Sequence, residues 1–151
     1  METGFDPVNG GVTAYTPAIN GVLPLSPKDS MQVINDRNHI AFESNITTIV
    51  DVAKLNGSKV LIVPLIQASR DKLSLWPENR KGYEDVLIAS AEKHTKILEK
   101  ISLKTNTNFF EFNRSLFKDD WFIDNCHLYP IGSKEKAKQL YNYLVKSDLI
   151  N

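Results

Sequence analysis

Along the chain, apolar residues first take up a helical rhythm at Phe42, Ile46, Ile49, Val50 and Ala53, a spacing of three and four that predicts an amphipathic helix over residues 38–56. Gly57 is the expected stop, because a residue without Cβ readily adopts the left-handed conformation that ends helices. The period then changes. Residues 59–65, Lys-Val-Leu-Ile-Val-Pro-Leu, form an apolar, β-branched run of strand length, as expected where both faces of a parallel sheet are covered. Residues 67–77 are polar and broken, which predicts a loop of the kind that lines sites at the C-terminal ends of strands in open α/β sheets. A second helical stripe, Leu87, Ala91, His94, Leu98 and Ile101, predicts a helix from Pro77 or Glu78 to about Lys104. Asn106 and Asn108 flank the turn into Phe109-Phe110-Glu111-Phe112, a short aromatic strand. The last helix, from about Ser133 to Ser147, places Ala137, Leu140, Tyr141, Leu144 and Val145 on one face. Helix, strand, helix, strand, helix predicts α/β architecture with right-handed crossovers. Residues 1–28, rich in Gly, Pro, Thr and Asn, keep neither period and predict irregular structure.

Composition narrows the functional classes. With 151 residues the chain has the length of one domain, and its 18 basic and 18 acidic side chains cancel. A neutral protein has no field to gather a polyanion, so nucleic acid is not an expected partner. Cys126 is the only cysteine, which excludes an internal disulfide and any multi-cysteine zinc site. The longest apolar run, residues 60–66, is too short to span a bilayer, and the first residues lack the basic start and apolar centre of a signal peptide.

The candidate chemistry lies near the C-terminus, in Phe122-Ile123-Asp124-Asn125-Cys126-His127-Leu128-Tyr129-Pro130-Ile131-Gly132. Histidine titrates near neutrality and can take and return a proton, provided a carboxylate fixes its tautomer and holds the imidazolium that forms. Asp124, three residues before His127 in a loop, can fold back to hydrogen-bond distance of Nδ1. The pair is expected to meet beside the loop 67–77. This is two thirds of a hydrolytic triad without a visible nucleophile.

The same residues, together with the strand run Gly57-Ser58-Lys59-Val60-Leu61-Ile62-Val63-Pro64, Asn45-Ile46 in the first helix and the aromatic strand, resemble the C-terminal part of an SGNH, or GDSL-type, hydrolase. Leu128, Gly132 and Ala137 are similar to that family's run from the histidine into the final helix. The resemblance covers residues 38–151 and implies a flavodoxin-like three-layer parallel sheet lacking its first strands, with residues 1–37 an irregular N-terminal segment. It implies hydrolysis of carboxylic esters, acyl or O-acetyl groups on a small molecule or carbohydrate, with His127 as general base and Asp124 orienting it. It calls for no cofactor and no metal, and a sheet without its first strands is expected to self-associate through the exposed edge. The family's Gly-Asp-Ser and Gly-x-Asn-Asp blocks are missing before Asn38: Asp29-Ser30 lacks the glycine, and Val33 stands where Asn35-Asp36 would need one. Asp29-Ser30 therefore reads as a turn or helix cap, and Asp36 or Asn38 as a cap.

Other readings of the region differ in chemistry. A catalytically inactive fragment or binding module would keep only the scaffold. A metal-dependent hydrolase would use Asp119, Asp120 and Asp124 around His127. Cys126 is expected to be a buried small hydrophobe whose side chain diverges from that of His127. His94 reads as a core histidine and His39 as a surface one, while Trp76 and Trp121 flank the loops expected to meet near His127, as substrate walls or as packing.

Overall fold

The computed structural model describes residues 25–36, 39–74 and 82–150. Helices α1 (Pro27–Asp36) and α2 (Ile40–Leu55) precede strand β1 (Leu61–Ile62), the short helix α3 (Arg70–Ser74) and the long helix α4 (Glu84–Thr105). Strand β2 (Asn108–Phe109), two 3₁₀ turns at Arg114–Leu116 and Asp119–Trp121, and helix α5 (Pro130–Lys146) complete the order.

Helix α4 is the element on which the others pack, meeting α1, α2, α3, β1 and β2. Its 22 residues give a rod of about 33 Å. It begins at Glu84, later than the stripe implied, because Gly82 takes φ +88° and a helix cannot run through a left-handed residue. The remainder of the expected start, residues 77–81, lies outside the described residues. At the other end Asn106, at φ 49°, takes the left-handed cap position that asparagine tolerates better than most residues.

Strands β1 and β2 pair in parallel, Leu61 with Asn108 and Ile62 with Phe109, and Phe110 adds an N–H bond to the Ile62 carbonyl at 3.0 Å. The expected neighbours are therefore neighbours, but the expected fold is corrected. Two strands of two residues form the whole described sheet, and the body is helical, so the flavodoxin-like three-layer parallel sheet is not present. Pro64 has no N–H to give a ladder, which limits β1 from its C-terminal side. Within the run only Ile62 and Pro64 are buried while Leu65 is exposed, and burial of Ile62 against α2 and α4 writes the same apolar pattern as burial in a wide sheet. Ile62, with Val60 and Phe109, packs with Val50 of α2 and Ile101 of α4. Val63 and Phe110 join a second cluster built on Ile66, Ala68, Leu73, Phe112, Phe117 and Phe122. Phe110 and Phe112 thus serve as core aromatics beyond the end of β2, where a longer strand was expected.

Pro27–Asp36, read from sequence as part of an irregular segment, is helical in the structure. Ser26 accepts the Asp29 N–H at 3.2 Å and its hydroxyl donates to the Asp29 carboxylate at 2.7 Å, a reciprocal cap followed by proline in the first turn. The rest of that segment, residues 1–24 and 37–38, lies outside the described residues. Helix α5 keeps Leu140 and Leu144 of its expected face half-buried, but Ala137, Tyr141 and Val145 are exposed, and Gly132 and Tyr143 turn inward instead. Leu140 packs on the Phe122 cluster and Tyr143 stacks on Phe110 at 4.7 Å, so the aromatic partner, invisible to periodicity, selects the face. His94 is half-buried against Phe42 at 4.7 Å as expected, but His39 is half-buried too, edge-on to His94 at 5.2 Å, and not a surface residue.

Candidate functional site

Phe122 has no exposed surface and pins the start of the site to the core. Phe122 and Leu128 form an antiparallel bridge, closed by the Ile123 N–H to the His127 carbonyl at 2.8 Å and the Tyr129 N–H to the Trp121 carbonyl at 2.8 Å. Residues 124–127 are the turn of this miniature hairpin. Pro130 then opens α5, its missing N–H falling where a first turn has no acceptor. Gly132 allows Leu128 and Trp121 to close on the helix: a Cβ there would lie 2.9 Å from Leu128 Cδ2 and 3.1 Å from Trp121 Cβ. Trp121 is half-buried in this contact, which is a packing role. Trp76 lies outside the described residues.

Within the turn, Asp124 holds His127 with both oxygens. Oδ1 accepts the N–H groups of Cys126 at 2.9 Å and His127 at 2.8 Å, and Oδ2 lies 2.7 Å from His127 Nδ1. Burial would raise the Asp124 pKa, but the two amides and the imidazole outweigh it and hold the carboxyl below the usual range. An ionised Asp124 accepts from Nδ1–H, which leaves the Nε2 lone pair as the proton acceptor. His127 is largely exposed, with 72% of its side chain open to solvent. Among the described residues no hydroxyl or thiol bonds to Nε2, so the pair is assembled without a nucleophile on its working nitrogen.

The Cys126 side chain does not diverge as expected. Its Sγ lies 3.8 Å from Nδ1, the nitrogen Asp124 already occupies. Burial and then the charge of Asp124 push the thiol pKa up, against a smaller pull from Lys136, which disfavours the thiolate a nucleophile would need. Asp119 is engaged elsewhere. Arg114 Nη2 and the Ser69 hydroxyl both donate to it, and the Ser69 N–H does so at 3.2 Å. Burial opposes these contacts, yet together they lower its carboxyl pKa. The acidic trio Asp119, Asp120 and Asp124 is accordingly not gathered as metal ligands. Among the described residues, the group whose ligand atoms do come together is Asp124, Cys126 and His127, all within 4.8 Å.

Arg114 sets the neighbourhood of the turn, and periodicity had no means of singling it out. Its Nε donates to the Gln67 carbonyl at 2.7 Å and its Nη1 to the Phe117 carbonyl at 2.6 Å, with the guanidinium 4.8 Å from the centre of the Phe122 ring. The Ala68 N–H then bonds the Asn125 carbonyl at 2.8 Å, which joins the loop after β1 to the Asp124–His127 turn. That adjacency is the one expected for the loop 67–77, of which residues 75–77 are not described. Ser69 faces Asp119 and receives the Lys72 N–H at 3.2 Å, so it caps α3 and is not hydrogen-bonded to His127. Ser30 sits in the first turn of α1 with its hydroxyl 3.5 Å from the Leu25 carbonyl. An open cleft of about 950 Å³ runs along the other side of the loop after β1, between Ile66, Ile88, Ala91, Phe112, Arg114 and Phe117; neither Asp124 nor His127 lines it.

No helix among the described residues is long and apolar enough to cross a membrane. Comparison with protein-family models, curated proteins and solved structures finds no match to the chain.

Proposed function

We propose that the Asp124–His127 turn is the general-base half of an ester-hydrolysing site of the SGNH type, with His127 Nε2 taking the proton and Asp124 fixing the tautomer. The observation that carries this reading is the 2.7 Å contact between Asp124 Oδ2 and His127 Nδ1, made by a carboxylate whose other oxygen is fastened to two backbone amides. The reading rests on the local site and its resemblance to that family's late Asp-x-x-His block, and it takes nothing from the expected three-layer sheet. Its substrate class is a carboxylic ester of a small molecule or carbohydrate. The test is hydrolysis of a short acetyl ester by the chain and by His127→Ala. Given a nucleophile, a base of this kind is worth about 10²- to 10⁴-fold, so the variant should lose at least about 100-fold. Equal rates in the two proteins would remove His127 from the chemistry.

A second reading, a catalytically silent scaffold, is favoured by the absence of any described hydroxyl on Nε2. Base, nucleophile and oxyanion donors act as a unit, and a base without the other two supplies little acyl transfer. Under this reading the wild-type chain turns over no ester above buffer.

A further inference from the structure

We propose that Asp124, Cys126 and His127 form a binding site for a single zinc-class divalent cation, with Oδ2, Sγ and Nδ1 as its protein ligands. The three residues already bring one donor atom each within 4.8 Å of the others, and Nδ1 lies 2.7 Å from Oδ2 and 3.8 Å from Sγ. Zinc bonds of about 2.0 Å to nitrogen or oxygen and 2.3 Å to sulfur, at tetrahedral angles, separate the ligand atoms by roughly 3.3 to 3.6 Å. The sulfur and nitrogen fit after a shift of a few tenths of an ångström. The nitrogen and oxygen must open by roughly half an ångström as the cation takes the place of the proton between them. Asp124 Oδ1 keeps its two backbone amides throughout, which is the outer support that orients a ligating carboxylate. The Phe122–Leu128 bridge holds the turn in place, and the exposure of His127 leaves room for water at the fourth position.

Donor chemistry selects the ion. Thiolate and imidazole suit zinc and its neighbours in the first transition row, whereas magnesium and calcium require oxygen sets. On binding, the thiol gives its proton to solvent, the metal–sulfur and metal–nitrogen bonds form, and the imidazole proton moves from Nδ1 to Nε2. The Nδ1 lone pair of the neutral imidazole then belongs to the metal, and Nε2 carries a hydrogen. If the turn works as the general base proposed above, the cation switches it off, and that consequence alone rests on the hydrolase reading.

Cobalt(II) titrated into the reduced full chain is the test, because a cobalt–thiolate bond produces a near-ultraviolet charge-transfer band that oxygen and nitrogen ligands do not. One equivalent per chain should develop the band, zinc should displace it, and Cys126→Ser should abolish it. Asp124→Asn should weaken cobalt binding at least about tenfold, with amide spectra showing that the chain remains folded. Zinc calorimetry on Cys126→Ala gives an independent reading and should show a comparable weakening. No band, a band that survives in Cys126→Ser, or saturation at half an equivalent, which would mean two chains sharing one ion, overturns the site. The titration needs no substrate: absent ester hydrolysis sinks the hydrolase reading alone, and an absent band sinks the cation site alone.

Discussion

Asp124 and His127 are joined twice, once through the side chains at 2.7 Å and once through the Asp124 carboxylate and the His127 backbone N–H at 2.8 Å. A carboxylate anchored to the backbone of the residue it orients leaves the imidazole little freedom of direction. Substitution here should therefore separate shape from chemistry.

Asp124→Asn keeps the size of the side chain and can present its amide NH₂ to Nδ1, favouring the tautomer with hydrogen on Nε2. Ester hydrolysis should fall to the level of His127→Ala; the corresponding Asp→Asn change in a serine-protease triad costs about 10⁴-fold. Initial rates with one acetyl ester decide it, and an active Asp124→Asn protein would show that tautomer control is irrelevant.

The pH dependence follows from the depressed Asp124 carboxyl. Its folded pKa lies below its unfolded one, so its stabilising contribution is complete above the ordinary aspartate value of about 3.9 and disappears as pH falls through the folded value. Carbon-detected titration of the Asp124 carboxyl should give a midpoint below about 3.9, tracked by the amides of Cys126 and His127. A midpoint at or above the ordinary value would mean that burial outweighs the three hydrogen bonds.

Arg114 ties the Gln67 and Phe117 carbonyls to the Asp119 carboxylate. Lysine has the charge without the planar fork, so Arg114→Lys should lose most of what Arg114→Ala loses. Hydrogen bonds to charged groups contribute about 1.5 to 3 kcal/mol, and with Arg114 about one-third exposed a loss of about 2 kcal/mol in urea unfolding is expected. Full retention of stability in Arg114→Lys would show that charge alone suffices.

Gly132→Ala sets two known effects against each other. Alanine in a helix gains about 1 kcal/mol over glycine, while overpacking costs about 1 to 3 kcal/mol. The contacts at 2.9 Å to Leu128 and 3.1 Å to Trp121 favour the second term, since Trp121 Cβ cannot swing away as a leucine methyl can. The melting temperature should fall; a rise would mean that the Leu128 side chain gives way freely.

How much of this was legible in the sequence differs from element to element. The spacing of Ile46, Val50 and Ala53 marked α2, the run around Leu61 and Ile62 marked β1, and the Asp124–His127 separation marked the hydrogen-bonded Asp–His turn, because each depends on neighbours within a few residues. Tertiary structure decided the rest. That β1 and β2 would be two residues long depended on the helices that enclose them, and an apolar run looks the same under helices as in a wide sheet. The inward face of α5 was chosen by Phe110 against Tyr143, 33 residues apart by their numbers. Arg114 is one of 18 basic residues in the sequence, and only the meeting of Gln67, Phe117 and Asp119 around it gives it a role. The placement of Cys126 Sγ against His127 Nδ1 likewise belongs to the turn's three-dimensional closure, since adjacent residues in an extended chain point apart.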